Sequence, residues 1–118
     1  MSFLLLIVET RGMRQANDPE TAHRLYAEMV AYGQELKDQG LLLASESLRP
    51  DEHGVRIGRH DGKPQLRDGP FAEAREMVGG FFLIDANNRD EAVAIAQRCP
   101  ALAWATVEVR ECAPCYLK

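Results

Sequence analysis

The residues best placed to do chemistry are carboxylates, and they gather around one stretch. Asp68-Gly69-Pro70-Phe71-Ala72-Glu73-Ala74-Arg75-Glu76 runs straight into Met77-Val78-Gly79-Gly80-Phe81-Phe82-Leu83-Ile84-Asp85. Asp-Gly-Pro is turn chemistry: Asp accepts from its own downstream backbone, Gly tolerates positive φ, and Pro fixes φ while removing a donor. Asp68 therefore has two readings. It is an acid/base or substrate-binding carboxylate aimed at a cleft by a rigid turn, or a turn residue that satisfies nearby amides. Glu73 and Glu76 are three positions apart, so a helical turn would put both on one face. Two close carboxylates push one pKa upward and provide an acid and a base near neutral pH. Glu73 reads as functional, and Glu76 as part of a solvated turn neutralised by Arg67 and Arg75.

Glu46 is the sharper anomaly. On a strand over Leu41–Leu48, a period of two places Leu42, Ala44, Glu46 and Leu48 on one face. A carboxylate among apolar neighbours must be paired, with Arg59 or Arg110, or must line a cavity. The expected catalytic set is therefore Asp68, Glu73 and Glu46, with Arg110, Gly69 and Phe71 as substrate contacts.

Other reactive side chains point nowhere comparable. His23, His53 and His60 form no metal-ligand spacing with any carboxylate or cysteine, and no metal or cofactor is expected. Cys112-Ala-Pro-Cys115 has the spacing of a redox pair or half a zinc site. A redox pair wants its first thiol at a helix N-terminus, and three residues after Cys115 build no helix. A zinc or thiol function of this tail is the most distant of the readings.

Elements that would position these groups follow from pattern. Phe3–Val8 is apolar throughout, as in a strand covered on both faces. Asp18-Pro19 opens a helix, with Asp as N-cap and Pro where its missing N–H costs nothing. Ala22, Leu25, Met29, Tyr32, Gly33 and Leu36 form its apolar stripe, and Gly33 suggests close approach to a sheet. Gly40 ends the helix. Val55–His60 and Lys63–Arg67 flank Asp61-Gly62, a strong hairpin signal, with Pro64 marking an edge. Met77–Ala86 is a strand whose Gly79-Gly80 pair suggests a bulge or close backbone contact. Asn88 starts a second helix that stops at Cys99-Pro100. Ala105–Glu111 alternates, with Ala105, Val107 and Val109 inward. Trp104, Phe81 and Phe82 read as core or dimer-face aromatics. The order is βαββαβ with a hairpin inserted between the middle strands, a ferredoxin-like α+β pattern.

Size and charge narrow the partners. At 118 residues the chain is expected to form a single domain, 1–118, that would gain from oligomerisation. With 46% apolar and 27% charged residues, the composition is that of a globular protein. A formal net charge of −4 without a basic block argues against nucleic acid and anionic membranes. Phe3–Val8 is too short to span a bilayer and lacks the flanks of a signal peptide. With three cysteines, an odd count, a reduced cytoplasmic setting is expected.

The chain resembles the YCII-related family, in the branch named for its Asp-Gly-Pro-Phe motif. The resemblance is carried by Leu41–Pro50, by Asp68–Phe71 with Glu73 and Glu76, by Gly79–Asp85, by Arg98-Cys99-Pro100-Ala101 and by Val107–Arg110. It implies a ferredoxin-like domain of dimeric α/β-barrel type, a homodimer formed sheet to sheet, and a cleft lined by polar residues. It also implies a bacterial setting, because genes of this branch often accompany extracytoplasmic-function sigma factors. The wider family carries a His early in its first helix and an Asp before a proline. Here Cys99 precedes Pro100 and His23 is displaced, so that pair is not carried over. Two functions remain in view. One is a homodimeric enzyme-like binder of a small molecule that uses carboxylates in a cleft. The other is a non-catalytic accessory or regulatory module linked to sigma-factor-dependent transcription.

Overall fold

A computed structural model describes residues 1–116. Its order is β1 (Ser2–Thr10), α1 (Met13–Ala16), α2 (Pro19–Asp38), β2 (Leu42–Ser47), β3 (Val55–His60), β4 (Lys63–Asp68), β5 (Glu76–Asp85), α3 (Arg89–Ala96) and β6 (Thr106–Glu111). Four strands form an antiparallel sheet in the order β2-β5-β1-β6, and β3-β4 form a separate two-stranded hairpin. This is the ferredoxin-like α+β arrangement with its inserted hairpin. No described helix is long and apolar enough to cross a membrane.

Local chemistry starts and stops the helices. Asp18 accepts from the Thr21 amide at 2.7 Å and Asn88 from the Glu91 amide at 2.8 Å, each satisfying a donor that the first turn leaves unpaired. Gly40, at φ 72°, ends the α2 segment in the left-handed region. The connection between β1 and α2 contains α1, a single helical turn with no buried residue.

The core lies between the sheet and one layer of helices: Phe3, Leu5, Ile7, Phe82 and Ile84 from the sheet meet Tyr32, Leu36, Ala92 and Ile95. Tyr32 stands edge-on to Phe82 at 5.2 Å, and its hydroxyl donates to the Ile95 carbonyl. Gly33 makes the close approach expected of it, since a Cβ there would sit 3.4 Å from the Phe82 ring.

Three expectations are corrected. β1 alternates instead of being covered on both faces: Phe3, Leu5, Ile7 and Glu9 are buried, while Leu4, Leu6 and Val8 on the uncovered face are half-buried. In β2 the register shifts between Leu42 and Ala44, so Leu42 aligns with Ile84 on the helix side while Ala44 and Glu46 align with Leu83 and Phe81 on the open side. A bulge adds one residue and breaks the simple period. The stripe of α2 is the third: only Tyr32 and Leu36 are buried, so the first three turns stand off the sheet.

Candidate functional site

That stand-off makes a groove of about 560 Å³ between α2 and the β2-β5-β1 face of the sheet. β2 runs alongside α2 in the opposite sense. Its start is tied to the helix end by the Leu41 amide donating to the Leu36 carbonyl, and its far end reaches α1. The groove therefore has two ends. Arg14, Asn17, Ser47 and Glu9 lie at one, Gln34 and Lys37 at the other, and Tyr26, Met29, Val30 and Phe82 between.

Glu9 is the unusual group. It continues the inward series Phe3, Leu5, Ile7 and is 2% exposed, a carboxylate on the apolar face of a central strand. Burial raises its pKa, opposed by the nearby Arg14 guanidinium. Arg14 Nε lies 2.8 Å from Glu9 Oε1. The same guanidinium donates through Nη1 to the Leu48 carbonyl at 2.7 Å and through Nη2 to the Gly79 carbonyl at 3.1 Å. Arg14 sits on exposed α1, yet three contacts pin it over Glu9.

The Gly79-Gly80 pair explains the space. The β1–β5 register shifts between Ile7 and Val8, which pair with Gly80 and Val78, so Gly79 is the bulged residue. A Cβ at Gly79 would lie 2.7 Å from Glu9 Oε1 and 2.8 Å from Arg14 Nη2, inside the space the ion pair occupies. The expected bulge is at Gly79, and the close backbone contact is at Gly80, where a Cβ would lie 2.9 Å from the Glu46 carbonyl oxygen.

The residues singled out by sequence do not converge. Asp68 is exposed and pairs with Val55 on the last rung of the hairpin. Gly69 donates its amide to the Gly54 carbonyl, and Phe71 is buried under the hairpin with Arg56 3.8 Å above its ring and Arg67 on the same ring. Glu73 is exposed and pairs with Arg67 and Arg56; a local backbone hydrogen bond, and after it these two guanidinium groups, hold its pKa below the usual range. Arg11 forks onto Asp51 and also donates to the Phe71 and Ala74 carbonyls, which ties this loop to the turn at Asp51–His53. Asp68, Gly69, Phe71 and Glu73 thus lie together at the hairpin base, away from the groove. Glu46 borders the groove, but its register with Phe81 directs its side chain to the open face of the sheet. Arg110 is on β6, exposed and paired with Glu108 at 3.3 Å. Cys99 is buried in the core, with its thiol pKa raised by burial, and Cys112 and Cys115 are exposed free thiols. Among the described residues no three His, Cys, Asp or Glu side chains form a metal-binding group.

Glu9 and Arg14 were missed. The signal for Glu9 was present: a buried strand with period two at positions 3, 5 and 7 puts position 9 on the same face. Arg14 left no comparable trace, because residues 11–17, between the first strand and the Asp18 cap, gave no reason to expect one ordered turn. Asp68 has no side-chain hydrogen bond among the described residues, so Asp68→Asn is expected to leave thermal stability within about 0.5 kcal/mol of wild type. A loss above about 1 kcal/mol in thermal or urea unfolding would restore Asp68 as a cap of the turn.

Residues 1–115 match the family model of the YCII-related domain. An uncharacterised protein of Rhizobium meliloti is 28% identical over 97 residues, covering 82% of this chain and 78% of its own length. In structure the chain is similar to 5-chloro-2-hydroxyhydroquinone dehydrochlorinase from Burkholderia phenoliruptrix, solved in complex with 2,5-dihydroxybenzoquinone. The TM-score is 0.54, at 20% identity, and the match covers 96% of this chain and 94% of that one. At that identity the likeness concerns the fold.

Proposed function

For a chain that belongs to the YCII-related family, we propose an enzyme-like role: the α2–sheet groove binds a small amphipathic molecule, with Glu9 as its proton-transferring carboxylate and Arg14 orienting the bound group. The observation that carries this reading is Glu9, a carboxylate 2% exposed, beside a pinned guanidinium at the polar end of a groove. A carboxylate made less acidic by burial is a better base and a usable acid near neutral pH. This moves the proposed chemistry from Asp68, Glu73 and Glu46 to Glu9, and substrate contact from Arg110, Gly69 and Phe71 to Arg14. A structural relative that is an enzyme complexed with a small acidic ring compound is consistent with a groove of this kind.

We also propose a homodimer. The uncovered face of the sheet carries Leu4, Leu6, Val8, Phe81 and Leu83, half-buried and without a covering helix. Burial against a second copy is the economical solution for such a face.

The sole tryptophan, Trp104, lines the groove and supplies the test. Phenol, 2,5-dihydroxybenzoquinone and hexanoate are titrated against its fluorescence in wild type and in Arg14→Ala. At least one is expected to shift the emission saturably, with affinity reduced about tenfold or more when Arg14 is removed. No saturable response to any of the three overturns the reading. The accessory-module alternative draws on one observation, the bare aliphatic face of the hairpin, where Val55, Ile57 and Leu66 are 52%, 69% and 68% exposed.

A further inference from the structure

The length of the groove says more about its ligand than its polar end does. Ala22, Tyr26, Val30 and Lys37 all line it, and they recur along one face of α2. At 1.5 Å of rise per residue that wall is about 22 Å long, several times the width of a single ring. The opposite wall is β2 running beside it, from Leu42 near Lys37 to Ser47 near Arg14. The interior between is apolar, with Leu25, Met29 and Val30 on the helix side and Ile7, Leu42 and Phe82 on the sheet side. Flexible methionine and leucine walls accommodate a chain with many conformations. Tyr26 and Val30, beside the apolar stripe of α2, line the groove and remain 61% and 53% exposed. An occupant of the groove would remove that surface from water.

Only one end is built for a charged head. Arg14 is held by its ion pair with Glu9 and by the carbonyls of Leu48 and Gly79, which engage one N–H of each terminal nitrogen. The two remaining Nη–H groups have no protein partner among the described residues. Asn17 and Ser47 stand beside it, whereas Lys37 at the far end is exposed and has no such support.

The structure assigns to this groove a ligand class: an unbranched aliphatic carboxylic acid, its head on Arg14 and its chain lying under α2 past Met29 and Val30. The assignment rests on the groove being the ligand site proposed above. A carboxylate at the head accepts from the free N–H groups of Arg14. The chain replaces water along the aliphatic wall.

The experiment is a homologous series of hexanoate, octanoate, decanoate and laurate. Each is kept below its micelle-forming concentration and titrated by calorimetry and Trp104 fluorescence against the full chain. Affinity is expected to rise about fourfold for each added methylene that is buried, until the groove is full. Val30→Trp, which places an indole halfway along the helix wall, is expected to reduce laurate affinity at least tenfold more than hexanoate affinity, bringing the two to about the same level. A flat series in which hexanoate still binds through Arg14 overturns the chain assignment and leaves the proposed function standing. Absence of any acid binding that depends on Arg14 overturns both. Equal laurate binding in Val30→Trp and wild type overturns the placement along α2. Self-association abolished by Val30→Trp, with no response to the acids, would assign the groove to a second copy instead.

Discussion

Gly69→Ala is expected to undock the β3-β4 hairpin and to cost about 3 kcal/mol of local stability. A Cβ at position 69 would fall well inside van der Waals contact with the Asp51 carbonyl oxygen, which is backbone and has no rotamer to escape into. The turn it would strike cannot retreat easily. Asp51 is held by Arg11, which also grips the carbonyls of Phe71 and Ala74, and the Phe71 amide donates back to the Asp51 carboxylate. Loop and turn therefore brace each other, and one methyl group breaks the brace at its tightest point.

The damage should stay local. The hairpin is a two-stranded sheet of its own, and its strands are exposed along their whole length. Such a unit is marginal by itself and depends on docking at its base. Amide hydrogen exchange in Val55–His60 and Lys63–Asp68 is expected to accelerate roughly a hundredfold, while Leu5 and Phe82 keep their protection. Equal acceleration everywhere would show that the hairpin base is part of the global folding unit. Protection unchanged in the hairpin would show that the turn can move aside. Acid should loosen the same base. The hydrogen bond from Arg11 depresses the Asp51 pKa, so the stability it contributes is present above the unfolded pKa and lost as pH falls through the folded one.

Glu9→Gln is expected to abolish proton transfer, by about a hundredfold or more in rate for whichever substrate the groove turns over, without destabilising the fold. The two readouts have opposite signs, and that separates a working carboxylate from a structural one. Burial raises the Glu9 pKa despite the opposing pull of Arg14. Below the unfolded pKa both states are protonated and nothing is lost. As pH rises through the folded pKa, the folded protein must either hold its proton or bear a desolvated charge, and stability declines. Glutamine keeps the shape and removes that decline.

The melting temperature of Glu9→Gln should therefore match wild type in acid and equal or exceed it at pH 8. Wild type alone should lose stability across the interval above the ordinary glutamate pKa. If Glu9→Gln melts well below wild type at pH 8, the ion pair with Arg14 is a net structural asset, and the acid/base role loses its support. Direct titration of the Glu9 carboxyl carbon by NMR would give the same answer without a mutation. A midpoint at or below the ordinary glutamate range would count against a base near neutrality.

Much of the architecture could be read from local pattern. Asp18 and Asn88 accept from the helical amides expected of them, Asp61-Gly62 turns the hairpin, Gly33 lies against the Phe82 ring, and Gly80 sits where two pieces of backbone come close. These are short-range effects of side-chain size, φ preference and hydrogen-bonding reach, and neighbouring residues decide them. Even Glu9 was legible in the alternation of β1, though a carboxylate at the end of an apolar run was easily taken for its boundary.

The site was a different matter. Four of the six residues chosen for chemistry are grouped at the hairpin base, a fifth pairs with Glu108 two residues away on β6, and Glu46 is turned to the open face by a bulge at Leu43. A one-residue bulge reverses every side chain beyond it, and spacing along the chain carries no record of it. The same holds for α2, whose apolar stripe promised a packed face. Only tertiary structure shows that its first three turns stand clear of the sheet and leave a groove. Local pattern was enough to say which long segments are strands and helices and where they turn, because those are local balances of entropy and hydrogen bonding. Only the assembled sheet decided which carboxylate was left buried and beside what, because desolvation and charge pairing depend on neighbours far apart in the chain.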